Sequence, residues 1–251
     1  MYYVISTRRL PLYQCRLCKH QTSVTAGTVM DRSRTPLGKW FAAIELLSST
    51  SGVNAKQLAA GIGVSHKTAW LMLRKFRCAI GEVESGRKLY GTVHAGLQAL
   101  APRYLFLFLP EERFRKERVV FVGGSVGPSG EPTSLRIGLV PSRHLVPGTK
   151  VLSGEGQADC SSAIADRKAN LAWLNPVRMY QSPLNQCFKE AKGWMNWLFN
   201  GIGTKYLQSY LDEFCFRWNT AAGGMSPREA WSDLCYAASR NAGKVHDRRT
   251  A

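Results

Sequence analysis

The stretch QLAAGIGVSHKTAWLMLRKFR, residues 57–77, constrains this chain more than any other, because it spells two helices meeting across one tight turn. Such a pair needs apolar residues where the helices cross, a small residue at the closest approach and Gly in the turn. Leu58, Ala59, Ile62, Gly63, Val64, Ala69 and Met72 fill those offsets. Asn54 is placed to cap the first helix and Ser65 the second. Trp70, Leu73 and Phe76 make the buried stripe of the second helix. Ser65, His66, Lys67 and Thr68 fall at its exposed first turn, where the side chains of a helix-turn-helix reach base edges. Arg74, Lys75 and Arg77 follow, where they would meet phosphates. The same spacing also fits a helical hairpin inside a core or at a protein interface.

Charge separates these readings. The 251 residues carry 34 Lys and Arg against 17 Asp and Glu, a formal net charge of +17, which points to a polyanionic partner. Residues 1–90 hold 14 of the basic residues and only 4 of the acidic ones, so the basic character is concentrated around the helical pair. A hydrophobic content of 45% is enough for a buried core. No apolar run is long enough to span a bilayer, and MYYVISTRRLPLYQC lacks the order of a signal peptide. A cytoplasmic protein with no membrane partner and no small-molecule substrate is expected.

The pattern along the chain predicts an α/β (α+β) fold. Residues 1–33 are short, basic and irregular, and residues 34–82 are helical. In the helical region Thr35 can cap, Pro36 suits the first helical position, and Trp40, Ile44 and Leu47 recur at helix spacing. GEVESGRK reads as a polar linker. Residues 88–220 begin with apolar runs bounded by Gly and Pro, namely KLYGTVHAGL, RYLFLFL, RVVFVGGSV, TSLRIGLV and TKVLSG, which read as strands. Two helical patterns follow, NQCFKEAKGWMNWLF and KYLQSYLDEFCFRWN, whose Trp194, Trp197, Phe214 and Trp218 are expected to pack on a mixed sheet. Residues 221–251 read as a tail with a short helix.

Seven cysteines, an odd number, argue against a disulfide framework. Cys15 and Cys18 have the two-residue gap that lets both thiolates reach one zinc ion, with His20 as a third ligand nearby. The chain has no second CxxC pair, and a pair of free thiols in a loop is the competing expectation.

Three segments together, YQCRLCKHQTSVTAGTVMDRSRTPLGKWFAAI, NAKQLAAGIGVSHKTAWLMLRKFR and YLQSYLDEFCFRWN, resemble bacterial insertion-sequence transposases that join a zinc ribbon, a helix-turn-helix and an RNase-H-like DDE domain, relatives of the Merlin elements. The resemblance implies a partial zinc ribbon over 1–33, with a further Cys pair ahead of residue 1. It also implies a helix-turn-helix over 34–82, an RNase-H-like domain over 88–220, element-end DNA as partner and a homo-oligomer. In that family acidic side chains seat two Mg²⁺ or Mn²⁺ ions, one activating the attacking hydroxyl and the other stabilising the leaving oxygen.

The family pattern places an Asp on the first strand of the sheet, a second at the end of a later strand, and an Asn or Glu on a following helix. The matching positions here read Gly96, Gly154 and Glu190, with Lys192 at the accompanying basic position. No Asp or Glu occurs between Arg87 and Pro110. Glu155 directly follows the second position, with Asp159 four residues later, and either could supply a shifted carboxylate. The expectation is therefore a transposase-family DNA-binding protein with an impaired metal site. The alternatives are an active enzyme rebuilt on Glu155, Asp159 and Glu190, or a basic module that binds protein or RNA.

Overall fold

The computed structural model describes residues 2–6, 10–49, 51–101, 117–199 and 202–240. The expected strand RYLFLFL and residues 241–251 of the tail lie outside them. Three short strands, β1 (Tyr2–Ile5), β2 (Leu12–Cys15) and β3 (Gln21–Ser23), form an antiparallel sheet in that order. None of their residues is buried.

Three helices follow. The first, α1 (Leu37–Ser48), starts one residue later than expected. Pro36 is its N-cap and makes no side-chain capping bond, and the Thr35 amide instead donates to Ser33 Oγ. The second, α2 (Ala55–Ile62), opens on a reciprocal capping box between Asn54 and Gln57. It closes on Gly63, whose φ of 62° is left-handed, a region where Gly avoids the Cβ penalty. The third, α3 (His66–Gly86), is capped by Ser65. It absorbs most of GEVESGRK, so that stretch is the end of a helix rather than a linker.

The second sheet is mixed, with order β6-β5-β4-β7. Strands β4 (Thr92–Leu100), β5 (Arg118–Val126) and β6 (Pro132–Leu139) form an antiparallel meander, and β7 (Asn170–Trp173) lies parallel to β4 on its other side. The run TKVLSG is not a strand. It forms a turn and one bridge, Leu145 to Leu152, and Ser153 caps α4 (Gly154–Ile164). Beyond β7 come α5 (Pro176–Gln181), α6 (Pro183–Leu198), α7 (Leu207–Ala222) and α8 (Pro227–Arg240).

Period-two alternation divides β5 between two cores. Val120 and Val122 pack with Met179, Phe188, Ala191 and Leu211 of α5, α6 and α7. Val119 and Phe121 pack with Cys160 and Ile164 of α4 on the opposite face. Trp194 and Trp218 are half-buried against the first of these cores and Phe214 is part of it, whereas Trp197 is 69% exposed and is not a core residue.

A third core lies under α1, α2 and α3, built on Trp40, Ile44, Leu47, Leu58, Ala69, Met72, Leu73 and Phe76. Trp70, expected in this stripe, is half-buried outside it, edge-on to Tyr206 at 5.8 Å. Phe216 of α7 and Leu234 of α8 complete the same core. The helical third and the end of the chain thus share one interior. Among the described residues no helix is long and apolar enough to cross a membrane.

Candidate functional site

The turn between α2 and α3 leaves one polar tip outside. Ser65, His66 and Lys67 are exposed and Thr68 half-buried. Ser65 Oγ accepts the Thr68 amide at 3.1 Å and lies 2.9 Å from Thr68 Oγ1, so both hydroxyls close the helix start. His66 and Lys67 project from it. Lys39 of α1 donates to the Gly63 carbonyl at 2.6 Å, tying the turn to α1.

The cations further along α3 divide. Arg74 is half-buried, its guanidinium carbon 5.7 Å from the Trp70 ring centre and 5.4 Å from that of Tyr206. Lys75 is half-buried too, with its ammonium on the Asp31 carbonyl at 2.9 Å and 5.7 Å from the Trp40 ring centre. Arg77, expected at the surface facing phosphates, is 4% exposed and pairs with fully buried Glu213 at 2.6 Å. Arg217 joins the same carboxylate from the next turn of α7. Burial alone would raise the Glu213 carboxyl, but Arg77 and Arg217 hold it below its ordinary value. The Arg77 side chain therefore joins α3 to α7. Its partner lies 136 residues away in sequence, which periodicity along α3 does not reveal.

The expected carboxylate site is not gathered. Glu155 is exposed in the first turn of α4, where a negative charge favours the helix start. Asp159, also exposed, pairs with His144 at 3.2 Å. Both are on the helix that covers one face of the sheet. Glu190 is on α6, which covers the other face, and it is exposed there, accepting from Gln186 at 3.2 Å. Among the described residues no three His, Cys, Asp or Glu side chains lie together as a metal-holding group.

What lies against Gly96 is a methionine. A Cβ at Gly96 would come within 2.7 Å of Met179 Sδ and 2.8 Å of its Cγ, so the space for a side chain on this strand is filled by a buried thioether. Two residues on, Gln98 donates to Asn185 Oδ1 at 3.3 Å. Asn185, buried on α6, donates in turn to the Tyr180 carbonyl at 2.8 Å. The strand parallel to β4 runs into Asn175, which caps α5 through the Arg178 amide. Gly96, Met179, Asn175 and Asn185 thus occupy the β4, α5 and α6 junction without a carboxylate. These residues do not fit a two-metal seat. Sequence reading missed Asn175 and Asn185, although the Asn175-Pro176 dipeptide is a turn signal marking the end of a preceding strand.

At the other end, Cys15 closes β2 and Cys18 is exposed in the following turn. The Cys15 amide donates to the His20 carbonyl at 2.9 Å and the Lys19 amide to the Cys15 carbonyl at 3.1 Å. The Cys15 thiol is held below its ordinary value by the backbone N–H groups of Cys18 and Leu17 and by the Cys18 side chain. That arrangement favours thiolate, but it supplies two donors, and His20 does not complete a group of three among the described residues.

No protein-family model matches the chain, and no curated protein or solved structure matches it either.

Proposed function

We propose that this chain is a transposase-family protein that grips element-end DNA through α2 and α3 and has lost the seat for metal-dependent strand transfer. The observation that carries the reading is the exposed tip of α3, where His66 and Lys67 project from a helix start whose own hydroxyls are already engaged. A capped helix presenting its first turn is the part of a helix-turn-helix that enters the major groove. The net charge of +17 supplies the attraction to phosphate. The meander with a parallel fourth strand agrees with an RNase-H-like sheet, and the β1–β3 sheet with part of a zinc ribbon. The loss of chemistry rests on Gly96 against Met179 and on the amides at 175 and 185.

The test is fluorescence anisotropy with duplex DNA taken from the flanks of the gene, read across a salt series. Log K should fall by about 0.9 per neutralised phosphate for each log unit of salt. Lys67→Ala should cost about 1–3 kcal/mol on the preferred sequence and little on an unrelated duplex. A salt-independent affinity would replace DNA with a protein partner. Nicking of a supercoiled plasmid in Mg²⁺ or Mn²⁺ that Glu190→Ala abolishes would restore the enzyme.

A further inference from the structure

The α5 and α6 surface carries a feature that the α3 tip does not use. Trp197 is 69% exposed, Tyr180 is 71% exposed and Val177 is 66% exposed. Isolated exposed apolar residues are ordinary, but these accompany cations. Lys189 holds its ammonium 5.4 Å from the Tyr180 ring centre, and Arg178 of α5 and Lys192 of α6 are also exposed. Lys189, Gly193 and Trp197 follow each other at four-residue intervals, so they share one stripe of α6. Between the two larger residues a Cβ at Gly193 would meet nothing within 4 Å, which leaves the floor of the stripe open. Lys189 and Trp197 are about 12 Å apart along the helix axis at 1.5 Å per residue. Tyr180 extends the row at the Lys189 end.

We infer that this stripe is a binding track for single-stranded nucleic acid, with Tyr180 and Trp197 as stacking platforms and Lys189 as a backbone contact. Exposed rings interleaved with cations suit unpaired bases, because a base must leave its duplex neighbours before a side chain can stack on it. Charge complementarity favours a polyanion over an apolar protein partner. Glu190 is the one acid on the stripe, and its contact with Gln186 turns it along the helix at 3.2 Å. The track goes beyond duplex recognition by α3 and does not depend on it.

The experiment is anisotropy of fluorescein-labelled dT12 and rU12 with the full chain and with Trp197→Ala, Tyr180→Ala and Lys67→Ala, alongside the duplex probe. Both aromatic substitutions are at exposed positions, and circular dichroism checks that each variant is folded. The expected result is a loss of about tenfold or more in single-strand affinity for Trp197→Ala and for Tyr180→Ala, with duplex affinity unchanged. Preference between dT12 and rU12 identifies whether DNA or RNA is the source. Single-strand binding that falls with Lys67→Ala but not with Trp197→Ala would overturn the track, as would no single-strand binding at all. Single-strand binding by the full chain without any duplex binding would overturn the reading of α3 and leave the track standing.

Discussion

The α2–α3 turn and the β4–α5–α6 junction are both made of short elements meeting at a point, yet they have been filled in opposite ways. At the turn the helix ends are capped locally, by the Asn54 and Gln57 box, left-handed Gly63 and the Ser65 cap, and two polar side chains remain outside. At the junction the side chains turn inward, with Met179 against Gly96 and Asn185 on Gln98. The turn leaves side chains outside, whereas the junction packs itself shut. The difference between the two regions is therefore a difference in packing.

The sharpest way to break this comparison is to cut the link between the two halves. Arg77→Ala would leave Glu213 buried with Arg217 as its remaining partner. The expected loss is about 3–5 kcal/mol in urea unfolding, the cost of breaking a buried pair by removing one member. A loss under about 1 kcal/mol would mean that the pair is not buried in solution.

Next in size is a pH effect at the same seam. Glu84, near the end of α3, is 1% exposed, and burial pushes its carboxyl up to about 7 despite Arg87 and Arg136 nearby. Burial likewise raises Asp212 of α7 to about 6. A carboxyl raised on folding binds its proton more tightly in the folded chain. Its contribution to stability is therefore present at low pH and is lost as pH rises through the folded value. Melting temperature should thus fall as pH rises from about 4 to about 7 and level off above that, and Glu84→Gln should flatten the fall and stabilise the protein at pH 8 by on the order of 3 kcal/mol. An unchanged profile in Glu84→Gln would assign the pH response elsewhere.

Smaller still is the attempt to reverse the packing. Gly96→Asp should destabilise by about 2 kcal/mol, since the new carboxylate meets Met179 and lacks a cation, and it should not create Mg²⁺-dependent nicking. Nicking by Gly96→Asp would show that the junction is still a metal seat lacking one ligand. The smallest effect belongs to the turn itself. Ser65→Ala should cost about 1 kcal/mol in stability through the lost cap. Comparable destabilisation from Lys67→Ala would show that the α3 tip has internal partners after all.

The readable parts of this molecule are those set by neighbours in sequence. Asn54, Gly63 and Ser65 act as their chemistry and spacing require, and the strands at 92–100, 118–126 and 132–139 follow the apolar runs. Errors arose where a distant residue decides the outcome. Arg77 looks like any cation on a basic helix until Glu213 folds against it. TKVLSG has the composition of a strand, but Ser153 starts a helix one residue before its end. The four-residue strand Asn170–Trp173 exists because β4 offers it a parallel edge, which is too short a run to stand out alone. Met179 over Gly96 could not be anticipated, since a missing acid says nothing about what takes its place.

The core under α3 is closed from the far end of the chain, by Phe216 and Leu234. The part of the chain beyond residue 88 could not simply be deleted, because the same deletion would strip the interior from α1, α2 and α3. That part of the chain is thus the scaffold of the helices before it, whatever its own surface does. Truncation at residue 88 should yield an exposed apolar face rather than a free-standing binding module.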